Sequence, residues 1–223
     1  MKRIAMPLLM WASACQAASL CQTGLRQSPI AIVSAAVAAP SLPPMQLHYR
    51  DAPLRLANDG HTLRVRFQKA GELALGSEKF QLEQFHFHTP GGDEIDGERF
   101  PMAAHILHRD QRGHLLAVVV PFRIGAENPV LTQLLPLIPV KADGDHRHPD
   151  VAVNATLLLP RSLGYYRYSG SLTEAPCTEN VEWLVMKQPL ELSAAQLAAW
   201  HQRFADNMRA PNPLHGRVVR QSP

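Results

Sequence analysis

Two histidines one residue apart, His86 and His88, stand in the run Gln84-Phe85-His86-Phe87-His88. On an extended chain successive side chains alternate, so both imidazoles leave one face about two rises, roughly 6.5–7 Å, apart. At that separation they can converge on one cation. Alone, a His-x-His pair among phenylalanines is ordinarily a pair of packed residues. A third imidazole changes that reading. The segment Phe100 to Arg109 follows a glycine-rich turn and reads as an antiparallel partner strand carrying His105 and His108. These two are three residues apart and face opposite ways on a strand, so only one of them can join the pair. No cysteine is in reach. Three imidazoles with an open fourth position are the ligand set of catalytic zinc rather than structural zinc.

The elements needed to hold such a site are strands. Thr62 to Gln68 alternates Leu63, Val65 and Phe67 with Arg64, Arg66 and Gln68. Lys79 to His88 alternates in the same way. Leu115 to Phe122 is a nearly unbroken apolar run, which suits a strand buried on both faces. Val181 to Lys187 reads as another strand. Turns are signalled by Asn58-Asp59-Gly60, Gly91-Gly92-Asp93, Asp110 to Gly113 and Asp143-Gly144-Asp145. Helical pattern is confined to Ser193 to Phe204, where Ser193 caps and Leu197, Trp200, His201 and Phe204 share a face, and to a shorter stretch, Asn128 to Leu135. The fold class expected is mainly β: one domain around a large, mostly antiparallel twisted sheet with a few short peripheral helices. His146 and His148 in HRHPD read as a solvated loop, with an extended metal-capture role as the alternative.

The composition agrees. Of 223 residues, 46% are hydrophobic and 18% charged, enough for a packed core. Nineteen prolines against thirteen glycines favour turns and strand edges over long helices. The net charge of +3 comes without any dense Lys/Arg run, which argues against a nucleic-acid partner. After the N-terminus, no segment approaches the ~20 apolar residues of a membrane span. The N-terminus itself has an export pattern: Lys2 and Arg3, the apolar stretch Ile4 to Trp11, then small residues to Ala18. Residues 1–18 are expected to be a signal peptide and 19–223 the mature domain. Lipid anchoring through Cys15 ranks lower, because Ala12 poorly fits the aliphatic position before such a cysteine. Removal of the leader leaves Cys21 and Cys177, an even number that suits a disulfide in an oxidising compartment. A periplasmic or secreted location follows.

The motifs QFHFH, PMAAHILH and YYRYSGSLTEAPCTENVEWLV together resemble the α-class carbonic anhydrases, in particular their secreted bacterial branch. The likeness runs from about Cys21 to Val219 and includes CQTGLRQSPIAI, NDGHTLRV and NPLHGRVV. It implies Zn2+ on His86, His88 and His105, and reversible hydration of carbon dioxide to bicarbonate and a proton. It aligns His61 with the proton shuttle, a role suited to an exposed imidazole. It aligns Thr173 with the hydroxyl that accepts a hydrogen bond from the nucleophile, and Gln84 with the partner that orients His86. Leu107, Val118, Leu172, Val181 and Trp183 align with the apolar wall that receives CO2.

This chain departs from the family pattern at four places. Gly92 stands where a glutamate normally accepts the proton of the active-site threonine. Ala103 stands where a glutamate normally supports the third histidine. Glu174 follows Thr173 where a small residue is usual, and is expected at the pocket mouth, opposing catalysis. The aromatic segment that usually precedes the first cysteine is not present. The zinc site is therefore expected to outlast fast turnover, with a catalytically weak or inactive zinc-binding protein as the alternative to the enzyme.

Overall fold

The computed structural model describes residues 20–37, 41–142 and 144–223. The expected leader, with Cys15, and Asp143 of the fourth turn lie outside the described residues.

Among the described residues fourteen strands are found: β1 (Ala31–Ile32), β2 (Met45–Tyr49), β3 (Ala52–Asn58), β4 (Leu63–Arg66), β5 (Gly71–Leu75), β6 (Glu78–His88), β7 (Glu94–Ile95), β8 (Met102–Arg109), β9 (Leu115–Ile124), β10 (His146–Val153), β11 (Tyr165–Ser171), β12 (Glu179–Met186), β13 (Leu190–Leu192) and β14 (Arg220–Gln221). Twelve of them form one sheet whose main path runs β10-β3-β4-β6-β8-β9-β12-β11-β14. The sheet is mixed: β9 runs parallel to both β12 and β13. β6 is long enough to serve two neighbours, pairing with β5 through its first half and β4 through its second.

The two faces of the sheet carry different cores. One face buries Leu56, Val65, Phe85, Phe87, Ile106 and Val118 under the helices. The other packs a smaller cluster that includes Ala117, Val119, Tyr168, Val181 and Trp183. β9 supplies both clusters, as its unbroken apolar run requires. Helix α1 (Pro129–Leu134) starts at Asn128, whose side chain accepts the N–H groups of Val130 and Leu131. Helix α2 (Ala194–His201) begins with a reciprocal Ser193–Gln196 capping box. Trp200 and Phe204 are buried and Trp200 meets Phe87 edge-on at 5.1 Å, but His201 is exposed and leaves the expected apolar face.

HRHPD is not a loop. It opens β10, an edge strand with a register shift between His148 and Ala152. Cys21 and Cys177 are joined by a disulfide across 156 residues. None of the described helices is long and apolar enough to cross a membrane.

Candidate metal centre and its pocket

The register of β6 against β8 assembles the centre. His86 sits opposite His105, and His88 opposite Ala103. Directly opposed residues share a face, so His86, His88 and His105 all project on the side away from the helices. All three are buried. His108 leaves β8 on the other face, where its Nε2 meets the Tyr49 hydroxyl and its Nδ1–H donates to the Leu116 carbonyl at 3.4 Å. Strand parity thus puts His105, and not His108, on the face of His86 and His88.

His86 donates its Nδ1–H to Gln84 Oε1 at 3.1 Å, and His88 donates its Nδ1–H to Asn207 Oδ1 at 3.1 Å. Each bond uses the proton of a neutral ring, so each Nε2 carries a lone pair. Those two Nε2 atoms lie 3.0 Å apart. Two facing lone pairs repel unless a proton or a cation lies between them. Protonation is opposed: burial and the neighbouring histidines hold His86 well below the usual imidazole range, and burial holds His88 down to about 4. Burial also depresses His105. A cation is what the arrangement accepts. The ligand nitrogens of the three histidines all lie within 4.8 Å of one another. Nitrogens bound tetrahedrally to zinc at ~2.0–2.1 Å are about 3.3 Å apart, so the spacing fits.

The third histidine is less well supported. His105 Nε2 is buried and has no hydrogen-bond partner among the described residues. Ala103, two residues earlier on the same face, offers no acceptor. The ring packs edge-on against Trp183 at 5.0 Å.

A pocket of about 180 Å³ opens over His86 and His105. Leu107, Leu172, Val181 and Trp183 give it an apolar lining, and Arg64, Thr173 and Glu174 also line it. Val118, expected on the apolar wall, lies in the core on the opposite face. On the pocket side of the sheet β9 presents Ala117, which pairs with Leu107 and with Trp183, and Val119, which sits opposite His105. His61 lies on the exposed turn between β3 and β4, outside the residues lining this pocket. Asn207 Nδ2 donates to the His61 carbonyl at 2.8 Å, so the residue that orients His88 also anchors that turn.

Glu174 is at the pocket mouth, as expected, but it is not a free carboxylate. Arg64 Nη2 donates to both of its oxygens at 3.0 and 3.3 Å, and Arg64 Nε also pairs with Asp59. No protein acceptor is found for the Thr173 hydroxyl among the described residues. Gly92 is buried, and a Cβ built there would stand 2.8 Å from Pro29 Cγ and 2.9 Å from both Cγ and Sδ of Met208. Met208 thus occupies the space a longer side chain at position 92 would need.

Asn207, Met208, Arg64 and Ala117 were missed in the sequence. Alternation in β4 puts Arg64 on the same face as Arg66 and could have flagged it. Asn207 and Met208 come from an irregular segment after α2 and carry no periodic signal.

A family model described as eukaryotic-type carbonic anhydrase matches residues 10–223. The carbonic anhydrase of Pectobacterium carotovorum is 41% identical over 204 residues, covering 90% of this chain and 82% of that protein. Among solved structures, the α-carbonic anhydrase of Thermovibrio ammonificans, complexed with the inhibitor sulfanilamide, is similar with a TM-score of 0.88 at 35% identity, over 94% of this chain and 92% of that one. Dioscorin complexed with ascorbate is similar with a TM-score of 0.84 at 31% identity, over 91% and 88%.

Proposed function

The chain belongs to the eukaryotic-type, or α, carbonic anhydrase family, and we propose that it hydrates carbon dioxide reversibly to bicarbonate and a proton, with Zn2+ held by His86, His88 and His105. One observation carries this reading: two Nε2 lone pairs 3.0 Å apart, with a third buried imidazole beside them, beneath a small pocket with an apolar wall. A zinc ion there supplies a Lewis acid that makes water nucleophilic near neutral pH, an effect for which carbonic anhydrases are the standard example.

The chain's own residues do the rest. Gln84 and Asn207 hold the His86 and His88 rings in the Nδ1–H tautomer, keeping both Nε2 atoms free to ligate. Leu107, Leu172, Val181 and Trp183 exclude water and receive neutral CO2. Thr173 accepts a hydrogen bond from the nucleophile and aims its lone pair at carbon. His61 passes the released proton to solvent from its exposed turn. A leader over residues 1–18, a mature domain over 19–223 and a periplasmic or secreted location complete the reading. The Cys21–Cys177 bond supports an oxidising compartment.

A second reading is favoured by the support around Thr173: a zinc-binding protein of this family with weak catalysis. Gly92 and Ala103 both lack a carboxylate, and Met208 fills the space beside Gly92. Stopped-flow CO2 hydration on zinc-loaded protein separates the two. The enzyme reading predicts hydration above buffer, lost on chelation and restored by zinc. One zinc per chain without hydration supports the second reading, and failure to hold zinc overturns both.

A further inference from the structure

The cross-strand row that forms the pocket's apolar wall continues past the metal centre and changes character. Tyr168 pairs with Trp183, Trp183 with Ala117, Ala117 with Leu107, and Leu107 with Gln84. Gln84 pairs with Arg66. The register of β3 on β4, with Leu56 opposite Val65, sets Arg55 beside Arg66, and Arg55 pairs with Arg147. One line across eight strands is thus aromatic and aliphatic on one side of the histidines and cationic on the other.

The cationic half is concave. Arg55, Arg64, Arg66 and Gln84 help to line a groove of about 580 Å³. Arg55, Arg66 and Arg147 line an adjoining depression of about 310 Å³. Arg64 belongs both to the groove and to the metal pocket, so the two are continuous. Opposed like charges on neighbouring strands cost stability. Carboxylates offset only part of this cost: Asp145 pairs with Arg55, and Asp59 and Glu174 pair with Arg64. Glu83 also lines the groove but pairs with Arg109. Arg66 and Arg147 have no carboxylate partner among the described residues, and both are exposed.

We propose that Arg55, Arg64, Arg66 and Arg147 form an anion track that binds bicarbonate at the pocket mouth and steers it into and out of the site, while CO2 uses the apolar half of the row. The guanidinium fork matches a planar oxyanion through paired N–H donors, which a spherical halide cannot use. A run of one sign of charge beside a narrow opening raises the local concentration of the opposite ion. The identity of the anion rests on the carbonic anhydrase reading above; the anion site itself does not.

The test uses Arg66→Gln/Arg147→Gln, two exposed changes that leave the zinc ligands and pocket lining intact. At low ionic strength the bicarbonate KM for dehydration should rise about tenfold with kcat retained. Both directions share one equilibrium constant, so kcat/KM for hydration should fall by the same factor. Added salt should bring the parent's kcat/KM down towards that of the variant, because screening removes steering. Kinetics and salt dependence identical to the parent overturn the track. A second readout needs no turnover. Arginine Nε resonances of zinc-loaded protein are followed during bicarbonate addition at constant ionic strength, with chloride as the baseline. Shifts at Arg66 and Arg147 beyond those given by chloride support the track, and shifts equal to chloride's overturn it. Such shifts in a protein that fails to hydrate CO2 would sink the enzyme reading and leave the anion site standing.

Discussion

The metal centre and the ground around Thr173 lie on the same face of one sheet, yet they are furnished differently. His86 and His88 each have an acceptor for the ring proton, and strand register sets all three histidines on one face. Around Thr173 the polar support is thin. Gly92 is packed against Pro29 and Met208, and the nearest acidic side chain in sequence, Glu174, is held by Arg64. Metal binding needs only ligands and their tautomers, whereas catalysis needs an aimed nucleophile. Loss of the second can therefore leave the first intact.

The sharpest division between the two regions comes from removing a ligand. His88→Ala should lower bound zinc from about one per chain to below about a tenth, with hydration falling to background. His108→Ala, one strand face away, should keep its zinc while losing about 1–3 kcal/mol of stability as Tyr49 and Leu116 lose a partner. Metal analysis of both proteins checks this. Equal zinc in the two would break the parity argument.

Reduction of the disulfide should act from the other side. The chain-entropy model assigns about 4–5 kcal/mol to closing a loop of 156 residues. Cys177 N–H donates to the Glu174 carbonyl at 2.8 Å, and Arg209 reaches Cys177 Sγ at 3.3 Å and the Leu172 carbonyl at 3.3 Å. Loosening this corner should lower Tm and hydration before zinc is released. Parallel loss of zinc and hydration during a reductant titration would contradict that order.

The histidines were legible in the sequence because alternation on a strand fixes which residues share a face. Val118 was misplaced for the opposite reason. From Leu116 to Phe122 every residue is buried, so the run carries no record of which face each one takes; only pairing with Leu107 and Trp183 shows that Ala117, not Val118, is on the pocket side of the sheet. β10 was hidden by Pro149 and by charges, which are ordinary on an edge strand. Asn207 reaches His88 from 119 residues away through an irregular segment, a contact no local pattern encodes.

The structure also changes how the missing glutamate at position 92 must be restored. Gly92→Glu alone should cost about 1–3 kcal/mol, because Met208 and Pro29 stand where the side chain would start. Gly92→Glu combined with Met208→Ala should recover the part of that loss that Met208 causes and raise hydration about tenfold at unchanged zinc content. Denaturant melts and stopped-flow rates on the two variants test the packing and the chemistry separately. Glu174→Gln should have the smallest effect. Arg64 already balances this exposed carboxylate, so hydration should change by less than about threefold. A tenfold rise would return Glu174 to the role of an inhibitor.

The most direct test of the account is CO2 hydration followed by stopped flow while zinc is added back to chelated protein. Activity should rise linearly and level off at about one zinc per chain, the capacity of a single three-histidine centre. Full occupancy at that ratio with no rate above buffer would contradict the enzyme and leave only the metal site; hydration that ignores chelation and zinc would contradict both.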